Sequence, residues 1–170
     1  MNAETLVLAI VATATCAAAA IDLRIRRVPN AFTMPLAACG VLVAAAGWGT
    51  VGIGAALAGW GVGLLLMLPG YLIGATGGGD VKLFAAVGAF LGPSLMVPAL
   101  IQTAIAGAVL ALAVAASRGR VRETVNGTVL LVATSGQHAA ALESPGIRNR
   151  FAYAPAIAVG AVLTATRWWS

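Results

Sequence analysis

The sequence has few charged residues. Only 9% of its 170 residues are Asp, Glu, Lys or Arg, whereas 61% are hydrophobic. A soluble domain usually carries about 25% charged residues. A chain of this composition cannot present an ordinary water-facing surface, so an ordinary soluble domain is excluded. We expect an integral membrane protein.

The residue types that serve most catalytic and metal sites are scarce too. The chain has one histidine, His138, and two cysteines, Cys16 and Cys39. His138 lies in a polar segment and is predicted to be a solvent-exposed loop residue. Both cysteines lie inside apolar runs without close spacing, so we expect buried packing residues, no disulfide and no metal. The serines have no evident base, and no cofactor is indicated.

The apolar residues form six runs, and a bilayer-spanning helix needs roughly 20 such residues. The sequence therefore predicts one all-α domain over residues 1–170, a bundle of about six transmembrane helices. The predicted spans cover residues 5–21, 31–48, 51–68, 81–91, 95–116 and 151–168. The fourth run would reach only about 17 Å as a helix, against a hydrocarbon core near 30 Å.

The basic residues predict the topology. The net charge is +5, and almost every Lys and Arg lies between apolar runs, where basic residues mark the cytoplasmic side. This rule predicts cytoplasmic loops at about 22–30, 69–80 and 117–150, with both termini outside. The topology also accounts for the positive net charge, so the charge does not indicate a nucleic-acid partner. The apolar stretch 129–133 is too short to span a bilayer, and either lies along the membrane surface or forms part of a connecting loop.

Two aspartates lie at the predicted cytoplasmic edge. Asp22 ends the first run, and Asp80 opens the fourth after three glycines, Gly77, Gly78 and Gly79. A lone Asp at a helix end is usually just solvated, and glycine alone can simply allow a tight turn. Two carboxylates facing one cavity can instead share a proton, so that one is ionised and activates water, as in aspartic proteases.

These residues resemble the type IV prepilin peptidases, which are membrane aspartyl proteases. The resemblance rests on Gly77-Gly78-Gly79-Asp80-Val81-Lys82, on Asp22 followed by a basic stretch and Pro29-Asn30, and on the segment 153–160. It implies hydrolysis of the leader of prepilins and pseudopilins at the cytoplasmic face of the bacterial inner membrane. The longer members carry an extra N-terminal cytoplasmic segment and methylate the new terminus. This chain is more similar to the short branch that serves Flp, or tight-adherence, pili.

The roles of the site residues follow less directly. Helix dipoles favour charge on Asp80 and disfavour it on Asp22, which predicts Asp80 as base and Asp22 as acid. Nearby Lys82 and Arg24 could reverse that order. Contacts with substrate carboxylates or lipid phosphates and simple anchoring at the interface remain alternatives for the basic residues Lys82, Arg24, Arg26 and Arg27. Asn30 is a further possible contact, and Pro29-Asn30 is expected to shape the loop.

Two other functions remain open at this point. A small proton- or ion-coupled transporter could use two membrane-edge aspartates, although no acidic residue marks the middle of another run and no halves repeat. A non-catalytic component of a secretion system would need the spans but not the aspartates.

Overall fold

The computed structural model describes residues 2–117, 119 and 153–168, and these form helices and short connections without a strand. The α-helices are α1 (Ala3–Ile25), α2 (Asn30–Ala45), α3 (Ile53–Leu72), α4 (Gly78–Leu91), α5 (Met96–Ser117) and α6 (Ala154–Trp168), with a 3-10 helix, Pro93–Leu95, before α5. The predicted all-α fold is confirmed for these residues. The stretch 129–133, most of the loop 117–150 and His138 lie outside the described residues.

Three of the helices are long and apolar enough to cross a membrane: Ala3–Ile25, Ile53–Leu72 and the segment Pro93–Ser117. The other three, α2, α4 and α6, are apolar but shorter, with 16, 14 and 15 residues. The predicted runs and the observed helices agree within four residues at each end. Six crossings and outward-facing termini stay predictions.

The two helices that carry Asp22 and Asp80, α1 and α4, each end at a residue with positive φ. Arg26 follows α1 with φ 53° and donates its N–H to the carbonyl of Asp22 at 2.7 Å. Gly92 follows α4 with φ 76°, a conformation that suits glycine. Pro29 then precedes α2, so the connection from α1 to α2 spans only a few residues.

The fourth apolar run forms α4, a 14-residue helix in the interior of the bundle. Residues 83–91 of this helix are all buried, and α4 begins three residues earlier than predicted, at Gly78. Glycines let α3 pack closely against it: a Cβ at Gly59 would collide with the carbonyl oxygen of Gly88, and one at Gly63 would lie 2.8 Å from the Cα of Ala85. Small residues four apart are the usual means of close helix packing in membranes.

The bundle consists of two groups of helices. In the first group, α6 packs against α1 and α5, and in the second, α4 packs against α2 and α3. Contacts between the groups are fewer and run from α4 to α6 and α1, and from α3 to α5. Asp22 lies on the first group and Asp80 on the second.

Cys16 departs from its predicted role as a buried packing residue. Its side chain is exposed on α1, whereas that of Cys39 is partly buried. The prediction for Cys16 was wrong because lipid-facing and bundle-facing positions of an apolar run have the same composition.

Candidate active site

Asp22 lies in the last turn of α1 and is 4% exposed. It continues the buried face of that helix, which carries Val7, Val11, Thr15 and Ala18 at helical spacing. Its Oδ2 accepts the backbone N–H of Ala154 at 3.2 Å. Because Ala154 is the first residue of α6, the carboxylate lies at the positive end of a second helix.

Asp80 lies in the first turn of α4 and is 8% exposed. Its Oδ2 accepts the backbone N–H of Gly77, the residue that precedes the helix, at 3.3 Å. Its Oδ1 is buried and has no hydrogen-bond partner among the described residues. A buried carboxylate with an unpaired oxygen pays a large desolvation cost if it ionises.

The two carboxylates act on each other electrostatically. Burial, and second the negative charge of Asp22, raise the pKa of Asp80 to about 7, while the N–H of Gly77 acts in the opposite direction. The structure thus brings the two sequence-predicted aspartates to one site, although they belong to different helix groups. Such a pair holds one proton in a range of pH in which an isolated carboxyl has lost it.

Each glycine of the triplet has a different neighbour. A Cβ at Gly79 would lie 2.6 Å from the carbonyl oxygen of Val28, so this glycine lets α4 start directly against the connection between α1 and α2. One at Gly77 would lie 2.9 Å from Oδ2 of Asp80, and one at Gly78 would lie 3.3 Å from the ring of Tyr71. The triplet therefore brings the first turn of α4 close to the segment that follows Asp22.

Two of the other predicted contact residues bind each other. Lys82 Nζ donates a hydrogen bond to Asn30 Oδ1 at 2.8 Å, which joins the start of α2 to the first turns of α4. The side chains of Arg24, Arg26 and Arg27 are exposed at and beyond the end of α1. The structure therefore places these arginines outside the buried part of the site.

The chain matches the model of the type IV leader peptidase family over residues 9–112, well over half of its length. The chain belongs to this family. The matched range contains Asp22, the glycine triplet and Asp80, which confirms the resemblance found in the sequence. The family indicates a peptidase that acts on prepilin leaders, and the three long apolar helices indicate a membrane protein. Comparisons with curated proteins and with solved structures return no match.

Tyr153 begins the segment 153–160 that carries part of the resemblance, but the sequence did not predict it as a site residue, and the structure places it near Asp80. It lies directly before α6, and its ring approaches Gly107, where a Cβ would lie 2.9 Å from Cε2. Burial, and second the charge of Asp80, raise the pKa of Tyr153, so its hydroxyl stays protonated and can donate a hydrogen bond. The sequence signal for its position is Tyr153-Ala154-Pro155. Proline favours the first turn of a helix, so this sequence indicates that a helix begins directly after Tyr153.

The start of α6 thus serves the leader peptidase site twice, through the Ala154 N–H and through Tyr153. Within the described part of the chain, no group of three or more His, Cys, Asp or Glu side chains is placed to bind a metal ion. What the described residues offer is a pair of carboxylates, backbone donors and a tyrosine hydroxyl.

Proposed function

We propose that this leader peptidase is an aspartic endopeptidase that hydrolyses the leader peptide bond of Flp-type prepilins and pseudopilins. The observation that supports this most is the buried pair of carboxylates, in which burial, and second the charge of Asp22, favour a proton on Asp80. One ionised and one protonated carboxyl are what an aspartic protease needs to activate water and protonate the substrate.

We assign Asp22 as the base and Asp80 as the acid. Asp22 accepts the N–H of Ala154 at the start of α6, which favours its charged form. Asp80 is buried, and its Oδ1 has no partner within the described residues, which favours its protonated form. This assignment is the reverse of the one expected from the dipoles of α1 and α4 alone, because Asp22 also accepts a hydrogen bond from the start of α6.

The hydrolysis then proceeds without a covalent intermediate. Asp22 takes a proton from water as the water oxygen bonds to the carbonyl carbon, and Asp80 gives its proton to the carbonyl oxygen. The C–N bond of the resulting gem-diol breaks as Asp22 gives its proton to the leaving nitrogen and Asp80 regains one from a hydroxyl. Each turnover consumes one water and restores both carboxyls.

We place this reaction at the cytoplasmic face of the bacterial inner membrane. The support is the position of Arg24, Arg26 and Arg27, which are exposed directly after the helix turn that carries Asp22. Arginines that flank a membrane span mark its cytoplasmic end. The adjoining site would then meet the substrate on that side.

The test is cleavage of a purified Flp-type prepilin by the detergent-purified protein. We expect Asp22→Asn and Asp80→Asn each to lower the cleavage rate by at least about a hundredfold, because each removes a proton-transfer group. Glu4→Gln is the matched control, since Glu4 is an exposed carboxylate at the opposite end of α1. It should retain the wild-type rate.

Near-normal cleavage by either Asp variant would contradict the assignment of a catalytic pair. No cleavage by the wild-type protein, with proton uptake into liposomes that requires Asp80, would instead favour a transporter. No cleavage and no transport would favour an assembly component.

A further inference from the structure

Tyr153 lies beside both carboxylates of the candidate site. The backbone N–H groups of Tyr153 and Ala154 both point to the carboxylate of Asp22. The side chain of Tyr153 packs against the buried cluster that contains Val81, the residue after Asp80. An ionised Asp80 acts electrostatically on the Tyr153 hydroxyl, so the two groups are close in space. Tyr153 thus reaches from the helix group that carries Asp22 to the group that carries Asp80.

The ring of Tyr153 is held by α5. A Cβ at Gly107 would lie 2.9 Å from Cε2 and 3.4 Å from Cζ, the carbon that carries the hydroxyl. The ring edge therefore occupies the space that this glycine leaves free. The side chain as a whole is only partly buried, which leaves part of it accessible. A ring that is held in this way presents its hydroxyl at a fixed place in the site.

Two oxygens at this place lack a hydrogen-bond partner in the described part of the chain. One is Oδ1 of Asp80, and the other is the hydroxyl of Tyr153. Oδ2 of Asp80 already accepts the N–H of Gly77, so the proton of this carboxyl belongs on Oδ1. Burial raises the pKa of Tyr153, so its hydroxyl keeps its proton as well. Both oxygens are thus O–H donors, and none of the described residues accepts a hydrogen bond from either.

Two donors without an acceptor indicate which group would satisfy both. A carbonyl oxygen has two lone pairs and can accept both hydrogen bonds at once. We propose that Tyr153 is a third catalytic residue, whose hydroxyl and Asp80 Oδ1 together bind the carbonyl oxygen of the scissile peptide bond. The inference rests on the proposed function and adds the group that stabilises the developing negative charge.

The hydroxyl acts without transferring its proton. As the water oxygen bonds to the carbonyl carbon and Asp22 takes the water proton, the π electrons of the C=O bond move to the carbonyl oxygen, which takes the proton of Asp80. The hydrogen bond from Tyr153 strengthens as that oxygen gains charge. A hydrogen bond that is stronger in the transition state than in the ground state raises kcat more than it lowers KM.

A purely structural role of Tyr153 predicts a different result. If Tyr153 only filled the space beside Gly107, its ring would matter and its hydroxyl would not. Tyr153→Phe separates the two roles, because it keeps the ring and removes only the hydroxyl. Tyr71→Phe is the matched control, since Tyr71 is the only other tyrosine of the chain and its exposed ring lies against Gly78 of the glycine triplet.

The experiment measures kcat, KM and Tm of the wild type and the two variants with a purified Flp-type prepilin in detergent. Tyr153→Phe should lower kcat at least about tenfold, with KM within about threefold of the wild type, because one donor to the developing oxyanion is lost. Its Tm should stay within about 4 °C, since the missing hydroxyl has no partner in the described part of the protein. Tyr71→Phe should match the wild type in all three quantities.

A second measurement reads the same contact without turnover. In the probe, a peptide of the prepilin cleavage site, a hydroxyethylene group replaces the scissile amide and presents a hydroxyl where the tetrahedral intermediate carries one. Tyr153→Phe should weaken binding of this peptide by about the factor by which it lowers kcat/KM, whereas Tyr71→Phe should leave binding unchanged.

A loss of kcat smaller than about tenfold in Tyr153→Phe would overturn the inference. The same holds for an equal loss in Tyr71→Phe, for a fall in Tm beyond about 4 °C, and for unchanged binding of the hydroxyethylene peptide. A rise in KM without a fall in kcat would also overturn it, because such a residue binds substrate and transition state equally. Failure of the wild-type protein to cleave the prepilin would overturn the proposed function instead, so the two failures are distinct.

Discussion

At the scale of single residues, the two aspartates are both buried but differ in their hydrogen-bond partners. Asp22 accepts a hydrogen bond from the start of α6, while Asp80 has a buried oxygen without a partner in the described part of the chain. In the proposed mechanism, these differences are the reason for assigning Asp22 as base and Asp80 as acid. They arise from contacts between helices and not from either motif.

The pKa of Asp80 predicts a pH dependence of stability. In the unfolded chain this carboxyl ionises near 3.8, whereas in the folded protein it keeps its proton to about 7. Between these values the unfolded state binds fewer protons, so the free energy of unfolding falls as pH rises, by at most about 1.4 kcal/mol per pH unit. Asp80→Asn, which cannot ionise, should therefore raise Tm over the wild type more at pH 8 than at pH 5.

The measurement is thermal unfolding of both proteins in the same detergent at the two pH values. Glu4→Gln controls for the loss of a carboxylate elsewhere on the surface. A Tm difference between Asp80→Asn and the wild type that is the same at pH 5 and pH 8 would contradict a raised pKa at this position.

The sequence identified the residues of the pair but not their protonation. Asp22 and Asp80 could be predicted because carboxylates are rare in so apolar a chain. The donor to Asp22 could not, because Ala154 lies 132 residues away in sequence. Tyr153, at the start of the segment 153–160, was not predicted as a site residue for the same reason, since it comes near Asp80 only through the packing of α6.

At the scale of helices, the start of α4 depends on close contact with the segment that joins α1 and α2. Gly79 permits this contact, because a Cβ there would lie 2.6 Å from the carbonyl oxygen of Val28. Gly79→Ala should therefore displace the first turn of α4 and with it Asp80. We expect a loss of about 1–3 kcal/mol of stability, typical of overpacking, and a large loss of prepilin cleavage.

Gly78→Ala is the matched control within the same triplet. Its Cβ would meet only the ring of Tyr71, at 3.3 Å, and that exposed side chain can move. Thermal unfolding and cleavage assays of both variants test the difference. Equal tolerance of the two substitutions would show that the contact between Gly79 and Val28 does not position Asp80.

The sequence predicted where the helices begin and end better than it predicted which helices pack against each other. Apolar runs bounded by Gly, Pro and charged residues place the helix ends to within four residues. The complete burial of residues 83–91 was not predicted, because lipid and protein interior both accept apolar side chains. The shortness of the fourth apolar run, residues 81–91, was the one unusual feature that the sequence showed for this helix.

At the scale of the whole molecule, the charge pattern predicts which ends of the helices face the cytoplasm. Arg27 follows α1 on the predicted inner side, and Ser94 lies between α4 and α5 on the predicted outer side. Both side chains are exposed. In a variant whose Cys16 and Cys39 are replaced by serine, Ser94→Cys should react with a membrane-impermeant maleimide in intact spheroplasts.

Arg27→Cys in the same background should react only after the membrane is permeabilised. The reverse labelling pattern would invert the topology and would place the carboxylate pair on the outer side. Labelling of neither position under any condition would indicate that these connections are shielded.

The division of the bundle into two helix groups has a mechanical consequence. Because Asp22 is on one group and Asp80 on the other, the separation of the carboxylates depends on how the groups fit together around α4. In a membrane, the lateral pressure of the lipid acts on the packing of the two groups. We therefore expect the thickness and lateral pressure of the lipid to tune turnover, so that acyl-chain length acts on this enzyme as a physical effector.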